Sequence, residues 1–188
     1  MLYTTTVKTE KELEEIQHLN QQNLKNNLSS EEIAKEGFVS WFYPLELLKN
    51  MHQLAASVIV KEEGEVVAYA LATLKEASAF HNDLRIMIEN LRSVIYKNRP
   101  LLLYHFYVMG QVCIRKDHRG KGVFSLLFQE HKKVYGPEYD LLVTEISTGN
   151  KRSLKAHEKV GFRNIHTYRD ELDEWSVVVW DWRSHRTT

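Results

Sequence analysis

Cysteine is almost missing from this sequence: Cys113 is the single one in 188 residues. One thiol forms no internal disulfide and no multi-cysteine metal centre, which suits a reducing compartment. Proline is scarce, with three residues. No Pro/Gly/Ser-rich linker, repeat or low-complexity tract divides the chain, so a single domain over residues 1–188 is expected. No apolar run is long enough to span a bilayer. The first residues, Met1 to Thr6, lack the basic-then-apolar order of a secretory signal. A cytoplasmic protein that does not enter membranes is expected. Net charge is also lacking, 25 Lys and Arg against 25 Asp and Glu, and nucleic-acid binders usually carry a basic excess, so nucleic acid is not an expected partner. The nine histidines show no metal-ligand spacing, and no metal is expected.

What is present is ordinary globular content, 43% hydrophobic and 27% charged. Residues 2–7 predict a strand. Thr9 with Glu12 and Ser29 with Glu32 are capping boxes that open two helices, the second ending near Gly37. Phe38, Trp41, Phe42 and Tyr43 form an aromatic cluster, read as core or as the wall of a binding site. Pro44 opens a further helix through Met51. Residues 57–61 and 66–74, around Glu63-Gly64, predict a hairpin. Apolar residues at helical spacing predict one helix over 79–96, read as packing on the sheet, a substrate lid or the interface of a homodimer. Residues 101–114 predict a long strand on which His105 and Tyr107 share a face. Then come helix 123–135, strand 139–146, helix 151–159 stopped by Gly161, and strands 163–169 and 175–182. The order is that of an α+β, or mixed α/β, domain.

The chemistry concentrates at residues 112–124. There Val112, Cys113 and Ile114 end a strand, and a basic turn, Arg119-Gly120-Lys121-Gly122, opens a helix at Val123 and Phe124. The first amides of a helix lack intrahelical partners and carry the positive end of the dipole, and glycines let an anion approach them. Such a turn can hold a pyrophosphate. The spacing is neither a Walker loop nor a dinucleotide fingerprint. The bland alternative is a glycine-containing loop with solvated Arg and Lys. Gly110, inside the preceding strand, predicts a bulge. Either the bulge opens the strand edge to an extended, amide-bearing ligand, or it only adjusts twist.

Downstream lie Glu145, Asn150, Ser153, His157, Gly161 and Phe162. Together the two segments resemble the GNAT superfamily of acyl-CoA-dependent N-acyltransferases. The family's Arg/Gln-x-x-Gly-x-Gly/Ala turn matches Arg119 to Phe124, and its Asn-x-x-Ala/Ser-x-x-x-Tyr-x-x-x-Gly-Phe pattern matches Asn150 to Phe162. Phe124 stands where the family has Gly or Ala, and His157 where it has Tyr. The resemblance implies a mostly antiparallel mixed sheet, splayed at the cofactor site and flanked by helices. It implies acetyl transfer from acetyl-CoA to a primary amine, on a small molecule or a peptide, without a covalent acyl-enzyme. Under it, Val112 and Ile114 pair with pantetheine, with Cys113 between them, and the Ile114 N–H polarises the thioester. Residues Arg119, Gly120, Lys121, Gly122, Val123 and Phe124 hold the pyrophosphate, and Asn150 and Ser153 hold the cofactor arm. Glu145 is the implied base for the amine. His157 is the implied acid for the thiolate, against the alternative of a histidine bonded to a carbonyl or packed on the cofactor. Two other readings stay open: a non-catalytic acetyl-CoA-binding sensor, and an acyltransferase for a longer acyl-CoA.

Overall fold

The computed structural model describes residues 1–183. Its strands are β1 (Tyr3–Thr6), β2 (Val58–Glu62), β3 (Glu65–Thr73), β4 (Ile95–Tyr96), β5 (Arg99–Pro100), β6 (Phe106–Ile114), β7 (Leu141–Ser147), β8 (Arg163–Arg169) and β9 (Glu174–Asp181). The α-helices are α1 (Glu10–Gln22), α2 (Ser30–Glu36), α3 (Leu45–Leu54), α4 (Asn82–Asn90), α5 (Val123–Tyr135) and α6 (Lys151–Val160). Seven strands form one sheet in the order β1-β2-β3-β6-β7-β9-β8, and β4 and β5 form a separate hairpin. Every pairing in the large sheet is antiparallel except β6 with β7. This is the mixed, mostly antiparallel architecture expected.

The sheet separates two apolar layers. One face packs Leu13, Ile16 and Leu19 of α1 and Leu47, Leu48 and Met51 of α3 against alternate strand residues such as Tyr69, Leu71, Val143 and Val177. The other buries Val123, Leu127 and Phe128 of α5 against Val58, Ala70, Leu142 and Val178. Period-2 alternation sends neighbouring strand residues to opposite faces, and burying a large apolar side chain is worth roughly 1.5–3 kcal/mol. Both capping boxes form as read, on Thr9 and Ser29.

Two expected elements are corrected. The helix over 79–96 is broken into a 3₁₀ turn at Lys75–Ala79, α4, a second 3₁₀ turn at Leu91–Ser93, and the β4–β5 hairpin. His81 interrupts it: its backbone is extended and its Nδ1 accepts the Asp83 N–H at 3.2 Å, capping a new helix. The apolar residues that seemed to prolong the pattern, Phe80 and Ile95, are both exposed. The hairpin turns on Lys97 and Asn98, both with positive φ, and is tied to β9 by Tyr96 and Lys97 donating to Asp181. The long strand starts at Phe106 instead of 101, because Leu101–Leu103 close a 3₁₀ turn that buries Leu101 and leaves Leu103 outside. His105 therefore precedes the strand and bonds the Glu138 carbonyl, while Tyr107 is buried against His131 of α5. Neither lines the two cavities described below.

The splay is where Gly110 places it. Register between β3 and β6 shifts across this residue. A Cβ on Gly110 would run into Thr73 Oγ1 and crowd the Tyr43 hydroxyl at 3.1 Å, so only glycine fits this close approach. β6 pairs with β7 over Phe106 to Val108 and not beyond. Past that point the two strands diverge, leaving a gap between β6 and β7.

Candidate active site

The gap opens into a cleft of about 450 Å³. Its walls come from the end of β6, the turn before α5, the start of α6, and the segment from α2 to Val39. The Arg115 N–H donates to Val67 of β3 and Cys113 lies opposite Tyr69. Strand alternation then turns the backbone groups of Val112 and Ile114 away from β3, toward the cleft. Cys113 shares the lining, but its thiol is buried among apolar groups, which pushes it up to about 12. A thiol so protonated is no nucleophile.

The turn is built to present amides. A 3₁₀ turn at Lys116–His118 is pinned by the buried His118, whose ring nitrogens bond Asp117 at 2.6 Å and Glu62 at 2.8 Å. Gly120 and Gly122 follow with φ of 76° and 78°, and a Cβ on either would meet nothing within 4 Å. Gly122 is the N-cap of α5 and has no side-chain bond over the first amides. Val123 and Phe124 follow in the lining; Lys121 is exposed and does not contribute to it.

Arg119 lines the cleft, with its guanidinium already engaged. Nε donates to the Ile114 carbonyl at 3.0 Å, Nη1 to Glu36 at 2.9 Å and Nη2 to Asn23 at 2.5 Å. Arg152 donates to the Lys35 carbonyl and lies 3.6 Å from Glu36. The hydrogen bond from Arg119 is the main reason that the Glu36 carboxyl sits below its ordinary range. Arg119 thus straps α2 across the cleft. Arg119→Met, which keeps the stem and removes these bonds, is expected to lower stability by about 2–4 kcal/mol, read by urea unfolding, and to expose α2 to proteolysis.

Asn150 is also committed: its Oδ1 caps α6 by accepting the Ser153 N–H, and its Nδ2 donates to the Phe38 carbonyl. Ser153 lines the same cleft. Sequence reading missed the basic residues of α6 that share the lining, Arg152, Lys155 and Lys159. Their spacing of three and four puts them on one helix face, a signal that was available. Asn23 and Glu36 could not have been found, being joined to the turn only through the fold.

A narrower cavity of about 80 Å³ continues from the cleft and holds Glu145 and His157. Phe38 and Trp41 line it, so part of the aromatic cluster walls a site, whereas Tyr43 is core and Phe42 is exposed. On β7, Glu145 has the parity of Leu141 and Val143 and faces the α1 layer. Its Oε1 is closed to solvent without a hydrogen-bond partner. Burial is the main cause that pushes the carboxyl up to about 8. His157 lies in the opposite layer, its ring edge-on to Phe124, Phe128 and Phe162. Its Nδ1 lies 2.8 Å from the Ser153 carbonyl, one turn back. A carbonyl only accepts, so the proton is on Nδ1; Nε2 is buried with no partner, and burial lowers the ring to about 4. Near neutrality the ring has no second proton to give. In this structure His157 is a carbonyl-bonded histidine packed among aromatic rings.

Residues 24–162 match the acetyltransferase (GNAT) family. The chain belongs to the GNAT family of acetyltransferases. Solved structures agree on the fold. The ribosomal-protein-S18-alanine N-acetyltransferase from Escherichia coli superposes with a TM-score of 0.64 at 10% identity, covering 96% of this chain and 94% of that one. Ard1 from Thermoplasma volcanium gives 0.64 at 11% identity, with 95% of each chain covered. An N-acetyltransferase from Staphylococcus aureus Mu50 gives 0.63 at 16%, covering 97% and 99%. A NatC complex, solved with Gag peptide and CoA, gives 0.63 at 12%, covering 96% of this chain and 98% of that one. No curated protein matches the chain in sequence. Among the described residues no helix is long and apolar enough to cross a membrane, and no group of His, Cys, Asp or Glu could hold a metal. In GNAT terms, the strand gap and the glycine turn form one continuous surface in this chain.

Proposed function

We propose that this GNAT protein transfers an acetyl group from acetyl-CoA directly to a primary amine on a small molecule or peptide. The observation that carries the reading is the continuity of three parts: open amides at Gly120 to Phe124, the unpaired edge of β6, and the cavity holding Glu145. The residues fit the cofactor. Open space surrounds the Cβ positions of Gly120 and Gly122, and Arg152, Lys155 and Lys159 supply positive charge on the same cleft, which suits phosphates.

Acetyl-CoA supplies the activated acyl carbon and a thiolate leaving group. The amides of the turn and the start of α5 hold its pyrophosphate. The backbone of Val112 and Ile114 aligns the amide-bearing arm, and the Ile114 N–H polarises the thioester carbonyl. Glu145, ionised, takes a proton from the attacking amine, so that the nitrogen lone pair is free to form the C–N bond as the C–S bond breaks. His157 supplies no proton, so the thiolate leaves into the open, basic cleft and is protonated by water. His157→Phe keeps the aromatic packing and is expected to slow turnover by less than about tenfold, small beside the usual effect of losing a general acid.

The test is calorimetry with CoA, followed by free-thiol release from acetyl-CoA across a panel of amines. Saturable binding with turnover on at least one amine is expected. Binding without turnover on any amine would favour the sensor reading. Faster turnover with longer thioesters would change the donor.

A further inference from the structure

Glu145 needs help to be one defined base. Its carboxyl lines a small cavity, one oxygen has no partner, and a carboxyl free to rotate would present either oxygen. The strand register shows what stands beside it. Ser147 of β7 lies opposite Trp175 of β9, and Trp175 lies opposite Tyr168 of β8. Opposed residues share a face, and Glu145, two before Ser147, shares it as well. The Tyr168 hydroxyl lies alongside the Glu145 carboxyl and stabilises its ionised form. On the same face α4 brings Met87 into the cavity and ends at Asn90, whose Nδ2 donates to the Tyr168 hydroxyl oxygen at 3.1 Å.

We propose that Asn90 and Tyr168 are positioning residues for Glu145. The Asn90 amide occupies an acceptor position on the tyrosine oxygen, which turns the hydroxyl proton away from α4 and onto the carboxylate. The hydroxyl then fixes one carboxylate oxygen and leaves Oε1 bare for the amine. Among the described residues, the other titratable groups around Glu145 are few. Asp170, from the turn after β8, opposes its charge. His157 reaches the same cavity from α6 and is neutral. α4 contributes Met87 and Asn90, and β6 contributes Gln111, none of them titratable. The inference rests on Glu145 being the base of the proposed reaction, and it gives α4, inserted between β3 and β6, a role in the site.

The experiment titrates the Glu145 carboxyl in the full chain by carboxyl ¹³C NMR, with Glu145→Gln identifying the resonance; no acceptor is required. In Tyr168→Phe the midpoint is expected to rise by about one pH unit, since a hydrogen bond to the charged form is lost. Asn90→Leu, which removes the donor and adds no charge, is expected to raise it also, because the hydroxyl proton is then free to turn away from the carboxylate. Asn90→Ala is expected to add nothing once Tyr168 is Phe. With CoA affinity retained, the pH profile of kcat/KM follows the same midpoint. If Tyr168→Phe and Asn90→Leu both titrate as the wild type, the assignment is overturned. If Tyr168→Phe does not fold, Asn90→Leu decides alone. Should Glu145→Gln keep full turnover while the midpoints shift, the base reading fails and the hydrogen-bond relay stands.

Discussion

Replacing Glu145 with glutamine is expected to lower kcat/KM by about 10²–10⁴, the usual worth of a general base, while CoA affinity stays within twofold or so because CoA binding does not use this side chain. The pH dependence makes the test sharper. With the carboxyl pushed up to about 8, the wild type has little ionised base at pH 6, and activity should climb about tenfold per pH unit before levelling above pH 8. The glutamine variant should lose the part of that slope due to Glu145. Stability moves the other way. The folded pKa lies above the unfolded value near 4.5, so the folded state binds more protons between these values. Stability associated with Glu145 is complete below pH 4.5 and is lost as pH rises through 8. Glu145→Gln should therefore match the wild type near pH 5 and melt at a higher temperature at pH 9. Unchanged turnover in this variant, with an unchanged profile, would remove Glu145 from the reaction.

The same residue shows what the sequence made legible. The identity of Glu145 and its place on a strand could be read from the chain, and so could the capping boxes and the glycine turn, because each depends on contacts within a few residues; the bulge was marked by Gly110 itself, since a glycine inside a strand often signals a close backbone approach. The state of a side chain could not. His157 looked like a proton donor by its place in a motif, yet its proton is taken by the Ser153 carbonyl, and that follows from helix geometry plus burial against Phe124, Phe128 and Phe162. Arg119 was legible as part of the basic turn, but not that its guanidinium holds Glu36 and Asn23, 83 and 96 residues away. The helix over 79–96 failed because apolar spacing continued past His81 and Asn90 by coincidence: the residues that prolonged it, Phe80 and Ile95, are not buried. Periodicity reports which residues a helix could bury, and tertiary packing decides which it does.

Gly122→Asp is expected to weaken CoA binding about a hundredfold or more, roughly 3 kcal/mol or above, while unfolding free energy falls by only about 1–2 kcal/mol. Two effects have to be separated. Gly122 has φ of 78°, so any side chain there carries a left-handed backbone cost. In front of it nothing lies within 4 Å, so an added carboxylate would occupy the space that the amides of α5 leave to an anion, and would repel the pyrophosphate as well. Gly64 separates them. It sits in the β2–β3 turn with φ of 90° and equally open space around its Cβ position, but outside the cleft lining. Gly64→Asp should thus show a similar loss of stability in urea with CoA affinity unchanged. If Gly64→Asp weakened CoA as much as Gly122→Asp did, the loss would be one of folding. If neither did, the amides at Gly122 would not be the phosphate site, and the Arg152, Lys155 and Lys159 face of α6 would have to hold the anion alone.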